Sequence, residues 1–292
     1  MNLENSLRSW MIDLRSRNLS PRTLDTYSLA VVQLTDFLKH RSRSLDVSEV
    51  TTTDLRDFIG HMLATRSDAT AHQRYRSLSS FFGWLLVEEE ITINPMVKVT
   101  RPKVKEKPIE VVTTRQYEAL LKTCDASFLG RRDEAIIRVL WDCGLRISEL
   151  TGLRVEDVSL DLDLVWVEGK TGERKAPFTI ATARSLDRYI RMRAKHRNAH
   201  LSALWLSERG KGAALTKSGV HRLLDRRSQE TGMGHIHCHM FRHSAAHRLL
   251  AAGMTEGSLM EIMGWSDRSM LDRYGRSVRH VRAIDDYRKL IG

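Results

Sequence analysis

The residue with the most distinctive chemistry in this chain is a tyrosine set among arginines. Tyr274 lies in the stretch WSDRSMLDRYGR, between Arg273 and Arg276. A phenol with a pKa of about 10 is a poor nucleophile unless nearby cations and a base assist it. Tyr274 can therefore act as a nucleophile only if other parts of the chain supply those groups.

Two other segments carry residues of the required types. In GLRISEL, Arg146 follows a helix-ending glycine, Gly144, and can project from a rigid turn into a cleft. In HMFRH, His239 and Arg242 are three residues apart and share one face of a helical turn. Two guanidiniums can hold the two non-bridging oxygens of a phosphodiester, because their planar forks donate paired bonds and stay charged. Each motif alone is weak, but their order together with Tyr274 predicts a phosphodiester site.

A metal site is the alternative chemistry, because five histidines crowd one region of the chain. The stretch GHIHCHMFRHSAAH has no glutamate of an HExxH motif and no CxxC pair. The triplet from His235 to His237 does resemble the metal-binding strand of HUH-type nickases, which use a metal and a tyrosine. We expect no bound metal, and keep the nickase as an alternative. The five are His235, His237, His239, His243 and His247.

Composition points to a polyanionic partner. The 292 residues include 47 Lys and Arg against 36 Asp and Glu, a formal net charge of +11. Residues 1–100 hold 12 of each sign, so the whole excess lies beyond them. Such a balance is typical of nucleic-acid binding. The three cysteines are widely spaced, and neither a secretory signal nor a membrane-spanning run is evident, so we expect a cytoplasmic protein.

The elements that position these residues fall into two parts. The segment TRPKVKEKPIE, residues 100–110, alternates Lys with Glu and holds two of the five prolines, which predicts an extended linker. Before it, apolar residues at helical spacing predict a four- or five-helix domain over residues 1–99. Its helices are predicted to begin near Leu3, Pro21, Thr53-Asp54 and Thr70, and residues 75–86 to turn their apolar side chains inward.

The part after the linker, residues 111–292, is predicted to mix helices with a small sheet. Two alternating runs flank Gly-Lys-Thr-Gly in LVWVEGKTGERKAPFTI, which is a β-hairpin signal. One helix is predicted to open at Thr114, and another to run from Arg132 to Cys143. The fold class is therefore mostly α with a small β-sheet. Further helices are predicted near 181–196, 216–231, 240–252, 255–263, 267–273 and 277–290.

Taken together, GLRISEL, the GK hairpin, HMFRH and MGWSDRSMLDRY resemble the tyrosine recombinase family of phage integrases and Xer-type recombinases. SPRTLDTY and the FFGWLL…INP stretch resemble the helical core-binding domain of that family. The resemblance implies a site-specific recombinase that cleaves and rejoins duplex DNA through a covalent 3′-phosphotyrosine. It implies religation without ATP or a divalent metal, and hence no cofactor.

The resemblance also assigns roles to residues of the catalytic part. Arg146 and Arg242 match the two arginines that stabilise the charge of the phosphorane, and His239 matches the histidine that takes or shares the tyrosine proton. Tyr274 matches the nucleophile. Glu149 matches the acidic residue that supports the first arginine without reacting.

Two positions of the catalytic part depart from the family's pattern. Lys170 matches the hairpin lysine that protonates the leaving 5′-oxygen, although Lys175 lies only five residues later. Trp265 stands where many family members have histidine. Its indole N–H can donate one hydrogen bond to a phosphate oxygen but cannot shuttle a proton, which leaves more of the base chemistry to His239.

For partners, the resemblance implies that both domains grip duplex DNA like a clamp. It implies a homotetramer on two DNA sites, held by the tail 277–292, with an accessory directionality factor as a possible further partner. Integration or excision of a phage or mobile element is the favoured role, with chromosome or plasmid dimer resolution of the Xer type as the alternative. A catalytically silent DNA-binding regulator is a third hypothesis. The N-terminal DNA contacts are expected to be Arg22, Thr23, Tyr27, Arg74 and Arg76.

Overall fold

The computed structural model describes residues 1–105, 109–169, 172–208 and 214–271, together with residues 284, 287, 288, 290 and 291. The chain forms two compact units, Met1–Lys107 and Pro108–Gly292. As predicted, it is mostly helical with one small sheet. The functions predicted for residues 1–99 and 111–292 stay predictions.

The first unit is a bundle of four helices followed by a short 3₁₀ turn. Ser20 caps α2 by accepting the Thr23 N–H, and Pro21 is its first residue, as predicted. The predicted start of α3 at Thr53-Asp54 is wrong, because Thr51 caps this helix and Asp54 bonds back to the Thr51 N–H. The elements are α1 Leu3–Ser16, α2 Pro21–His40, α3 Thr52–Thr65, α4 Asp68–Val87 and the turn Pro95–Lys98.

The core of this unit is built on aromatic side chains from its helices. Trp10 is fully buried, stacks on Tyr27 at a centroid distance of 5.2 Å and contacts Phe81 at 5.1 Å. Phe58 and Phe82 are also buried. The prediction that Leu86 faces inward is wrong, since it is 40% exposed near the end of α4.

Within the described residues, the second unit contains seven α-helices and a three-stranded antiparallel sheet, against which α6, α7 and α11 pack. The predicted hairpin is confirmed: β2 and β3 pair from Leu164 with Pro177 to Gly169 with Gly172. A two-residue strand, β1, extends the sheet and was not predicted. The elements are α5 Thr114–Lys122, α6 Phe128–Cys143, α7 Ile147–Gly152, β1 Val158–Ser159, β2 Leu164–Gly169, β3 Gly172–Pro177, α8 Ile180–Arg193, α9 Lys217–Thr231, α10 Cys238–Ala251 and α11 Glu256–Met263.

Helix α6 is the centre of the second unit and packs against α8 and α10. Its second half is apolar and buried on most sides, including Ile136, Ile137 and Leu140. Gly144 ends it in the left-handed region at φ 56°, as the sequence predicts. Within the residues described, no helix is both long and apolar enough to cross a membrane.

Gly144 is also where two neighbouring segments approach the backbone. A Cβ there would lie 3.0 Å from the Ala245 Cβ and 3.2 Å from the Met263 Cε. We expect Gly144→Ala to cost about 1–2 kcal/mol through the left-handed backbone and a further ~1–3 kcal/mol through crowding. Denaturant unfolding measures the loss.

Gly232→Ala is the matched control for this prediction. Gly232 ends α9 at φ 64°, and a Cβ there would meet nothing within 4 Å. This variant should therefore show only the backbone cost. Equal losses of unfolding free energy in the two variants would contradict the crowding argument.

Candidate active site

A single buried carboxylate, Glu149, organises the cluster of arginines at this site. It lies in α7, at the third position after Arg146, which caps the helix. Glu149 Oε2 accepts the Arg146 backbone N–H at 2.8 Å, and Oε1 accepts the Arg146 guanidinium at 2.7 Å. The Glu149 side chain is 2% exposed and that of Arg146 is 35% exposed. The short helix thus orients its own capping arginine.

Two further arginines reach Glu149 from other elements. Arg174, on β3, donates to Glu149 Oε2 at 2.8 Å. Arg242, on α10, lies with Nη1 4.0 Å from the same oxygen. The hairpin can come this close because residue 169 is glycine: a Cβ at Gly169 would lie 3.2 Å from Glu149 Oε1. Three guanidiniums around one carboxylate leave a net positive charge.

The C-terminal end of α11 holds the same three arginines from their other side. Consecutive carbonyls accept one guanidinium each: Ile262 from Arg174, Met263 from Arg242, and Gly264 from Arg146 at 3.3 Å. Helix C-termini leave carbonyls without intrahelical partners and carry partial negative charge, so they suit cations. The arginines are thereby fixed between Glu149 and the helix end.

Arg242 is the most buried of the three. Its side chain is 1% exposed, and Nη1 donates to the Gly144 carbonyl at 2.9 Å. Its guanidinium carbon lies 5.6 Å from the centre of the Trp265 ring. Trp265 is itself 6% exposed. The structure therefore brings together the predicted site residues Arg146, Glu149, Arg242 and Trp265.

The other predicted catalytic residues are His239, Lys170 and Tyr274. His239 lies in the first turn of α10, on the exposed surface, with its ring centroid 4.5 Å from that of buried His243. Lys170 and Tyr274 lie outside the described residues, so their predicted roles stay predictions.

Lys175, the alternative to Lys170, lies on the exposed face of the hairpin. It pairs across the strands with Trp166, and its Nζ lies 4.5 Å above the Trp166 ring. Neighbouring strand residues point to opposite faces of a sheet. Arg174 points to Glu149, and Lys175, one residue later, lies on the opposite face of the hairpin.

The histidine-rich segment is the part of the chain that the metal alternative depends on. His235 lies 3.3 Å from Asp225, and its ring centroid is 5.8 Å from that of His237. Burial and the neighbouring His235 lower the pKa of His237. Among the residues described, no three His, Cys, Asp or Glu side chains are grouped so as to hold a metal ion. The nickase alternative gains no support from this geometry.

The residues of the first unit that are predicted to contact DNA differ in how exposed their side chains are. Arg22 and Arg76 are exposed, and Thr23 is partly exposed with its hydroxyl 2.8 Å from that of Ser20. Tyr27 is partly buried and stacks on Trp10. Arg74 is only 7% exposed and donates to Gln33 at 2.6 Å. This burial weighs against Arg74 as a DNA contact.

Arg174 is the site residue that the sequence motifs missed. It belongs to none of the segments that carry the arginines, histidine and tyrosine. One signal was available: in the hairpin register Arg174 pairs with Val167, an inward-facing position where an arginine needs a buried partner.

The ionisation of Glu149 should leave a measurable signature in stability. Burial alone raises the pKa of Glu149, but Arg174 and the Arg146 donors outweigh it and hold the pKa below its ordinary 4.5. A lowered pKa stabilises the fold above the unfolded value, and this contribution is lost as pH falls through the folded value. We expect the difference in unfolding free energy between wild type and Glu149→Gln to be largest above about pH 5 and to shrink towards pH 3.

Denaturant titrations from neutral pH to pH 3 test this expectation. The comparison isolates Glu149, because every other carboxylate is common to both proteins. A difference that stays constant over the range would contradict the assigned ionisation.

The chain is thus a two-unit, mostly helical protein whose second unit gathers arginines around a carboxylate, and comparison with known proteins gives its family. The phage integrase family model matches residues 110–280, more than half of the chain. The model of the N-terminal SAM-like domain of phage integrases matches residues 7–92. The chain belongs to the phage integrase family, the tyrosine recombinases, which cleave and rejoin DNA.

Similar proteins extend over nearly the whole chain. Tyrosine recombinase XerC of Bacillus pumilus is 30% identical over 268 residues, 88% of this chain and 87% of that protein. XerD of Listeria monocytogenes is 29% identical over 286 residues, 94% and 93% of the two chains.

Two solved structures share the fold. The Tn1549 transposon integrase with transposon right end DNA matches with a TM-score of 0.79 at 22% identity, over 99% of this chain and 100% of that one. A lambda integrase tetramer bound to a Holliday junction matches with a TM-score of 0.73 at 19% identity, over 91% and 78%.

Proposed function

We propose that this chain is a site-specific recombinase that cuts duplex DNA through Tyr274 and exchanges strands between two sites. The observation that carries the proposal is the arginine cluster: Arg146 and Arg242 converge on Glu149 with their orientations fixed by the α11 carbonyls. Fixed cations aimed at one place stabilise a transition state that gathers negative charge there.

The proposed reaction conserves the phosphodiester. The Tyr274 oxygen attacks the scissile phosphorus, the bond to the 5′-oxygen breaks, and a 3′-phosphotyrosyl link forms. His239 accepts the phenol proton, and Lys170 protonates the departing 5′-oxygen. Arg146 and Arg242 hold the non-bridging oxygens. A 5′-hydroxyl from the second DNA site then attacks the link and releases the tyrosine, so no ATP is consumed.

For biological role, we propose integration or excision of a mobile element. The Tn1549 and lambda integrase folds, which cover over nine-tenths of this chain, support this role. Dimer resolution of the Xer type is the second candidate, because proteins named XerC and XerD are about as long as this chain and 29–30% identical to it. A silent regulator is disfavoured, since both predicted phosphate-binding arginines are present and oriented.

The proposed working assembly is a homotetramer on two DNA sites, joined by the tail 277–292. The described tail residues support an intermolecular role, because apolar side chains there are exposed: Ile284 by 41%, Leu290 by 84% and Ile291 by 70%. A directionality factor and a cytoplasmic, DNA-associated location complete the proposal.

Covalent capture from genomic DNA tests the activity on every sequence of a genome at once. The protein is incubated with sheared DNA of its source organism in EDTA, denatured with SDS, and the protein-linked fragments are sequenced. We expect one recurrent site, equally captured by a His235→Ala, His237→Ala double variant. Capture that requires a divalent metal and these histidines would favour the nickase. Recurrent capture at an element boundary supports integration, whereas capture at a chromosomal site in a genome without the element supports dimer resolution.

A further inference from the structure

Arg174 is buried and hydrogen-bonded within the arginine cluster, although no sequence motif marks its position in the hairpin. Its side chain is 6% exposed. In the β2–β3 register it pairs with Val167, which is 1% exposed, so both face the interior. Burying a guanidinium is costly unless it is paired and hydrogen-bonded. The hydrogen-bond partners of Arg174 therefore explain how a charged side chain can be buried at this position.

Those partners belong to the arginine cluster. Arg174 donates one nitrogen to Glu149 Oε2 at 2.8 Å and another to the Ile262 carbonyl at the end of α11. Glu149 Oε2 also accepts the Arg146 backbone N–H, which leaves Oε1 for the Arg146 guanidinium at 2.7 Å. Arg174 and Arg146 thus hold the two oxygens of the carboxylate together.

The consequence for Arg146 follows from its exposure. At 35% exposed, the Arg146 side chain has fewer packing contacts than Arg242 to hold it. Its short bond to Glu149 and its 3.3 Å bond to the Gly264 carbonyl are its orienting contacts in the structure. If Glu149 turns or becomes protonated, the guanidinium loses the stronger of the two.

We propose that Arg174 is a positioning residue that acts through Glu149 to hold Arg146 in its phosphate-binding orientation. The inference rests on the proposed function of Arg146. It adds a hairpin residue that does not touch the phosphate to the set that determines the cleavage rate.

The surroundings of Glu149 show why its charge needs Arg174. Among the residues that the structure describes, three cations lie within 4.0 Å of Glu149: Arg146 from α7, Arg174 from β3 and Arg242 from α10. Glu149 also lines a cleft of about 510 Å³ with further acidic residues. Without Arg174, a buried carboxylate would face that cleft with one close ion pair, and its pKa would rise. The acidic residues are Glu156, Asp157, Glu168 and Glu173.

The first experiment measures Glu149 directly in the DNA-free protein, by ¹³C NMR titration of its side-chain carboxyl. Arg174→Met should raise its pKa by roughly 1–3 units, the usual effect of an opposite charge at this distance. Arg174→Lys should give a smaller rise, because it keeps the charge without the fork. Arg154→Met is the control, since Arg154 lines the same cleft but pairs with Glu156.

The second experiment measures covalent-complex formation on the duplex identified by genomic capture. Arg174→Met should slow it by roughly 10- to 100-fold, as misplaced catalytic groups do, with DNA affinity unchanged. Arg174→Lys should recover part of the rate. In a Glu149→Gln background, Arg174→Met should cost little more, because the two residues act as one unit.

The outcomes separate this inference from the proposed function. Unchanged Glu149 titration in Arg174→Met, or rate losses that multiply in the double variant, would overturn the positioning role. If Arg174→Met does not fold, Arg174→Lys and its Glu149→Gln double variant decide by the same two criteria. If Arg174→Met shifts the titration of Glu149 but the wild-type protein forms no covalent complex with any DNA, the proposed function is rejected and the coupling of Arg174 to Glu149 stands.

Discussion

Replacing Tyr274 by Phe should abolish the covalent protein–DNA product while leaving DNA affinity unchanged. The substitution removes one hydroxyl oxygen and keeps the ring, so packing is preserved and only the nucleophile is lost. Loss of an enzyme nucleophile reduces rates by as much as about 10⁶-fold, which is below detection on a gel. A duplex nicked beside the cleavage site makes the test sensitive, because the short 5′-hydroxyl strand diffuses away and traps the adduct.

Tyr117→Phe provides the matched control for Tyr274→Phe. Tyr117 lies on α5, stacks on Trp141 and belongs to none of the predicted catalytic, DNA-binding or tetramer segments, and its variant loses the same atom. We expect it to form adduct at the wild-type rate. Covalent product from Tyr274→Phe, resolved on a denaturing gel, would show that another residue attacks the phosphate. Loss of DNA binding in that variant would make the missing adduct uninformative, so binding is measured in parallel.

Local signals in the sequence were sufficient where one turn of chain determines the structure. Ser20-Pro21 places the start of α2, because one residue supplies the cap and the next has a preset φ. Gly144 ends α6, because the left-handed conformation favours glycine. The predicted start of α3 at Thr53-Asp54 was wrong, because three consecutive threonines can each cap a helix. The return bond from Asp54 to Thr51 selects the first.

Tertiary packing determines what the sequence could not predict. The motifs led to Arg146, Glu149, Arg242 and Trp265, and the structure gathers these four residues. The motifs gave no reason to expect that the Arg242 side chain is only 1% exposed, because a side chain that binds a phosphate is expected to be accessible. The sequence motifs did not identify Arg174, because its bond to Glu149 joins residues 25 positions apart and forms only when the hairpin packs against α7.

The burial of Arg242 separates two arginines that the sequence treats as equivalent. Replacing either by Met should slow cleavage by about 10²- to 10³-fold, the usual cost of removing a donor that stabilises a charged transition state. Their effects on stability should differ. Arg242→Met leaves the buried Gly144 and Met263 carbonyls without this donor, so we expect a loss of about 2–4 kcal/mol of unfolding free energy.

Arg146→Met should cost only about 1 kcal/mol, because its side chain is 35% exposed and its charge pair with Glu149 is partly screened. Urea unfolding of both variants, alongside adduct formation at a temperature where both are folded, separates the two quantities. Arg242→Lys refines the comparison. Lysine keeps the charge but lacks the planar fork with which arginine can donate to both carbonyls and a phosphate at once, so this variant should recover unfolding free energy better than cleavage rate. Equal stability losses in Arg146→Met and Arg242→Met would contradict the argument that the buried contacts of Arg242 with Gly144 and Met263 add to the stability of the fold. The burial of Arg242 would then not distinguish the two arginines.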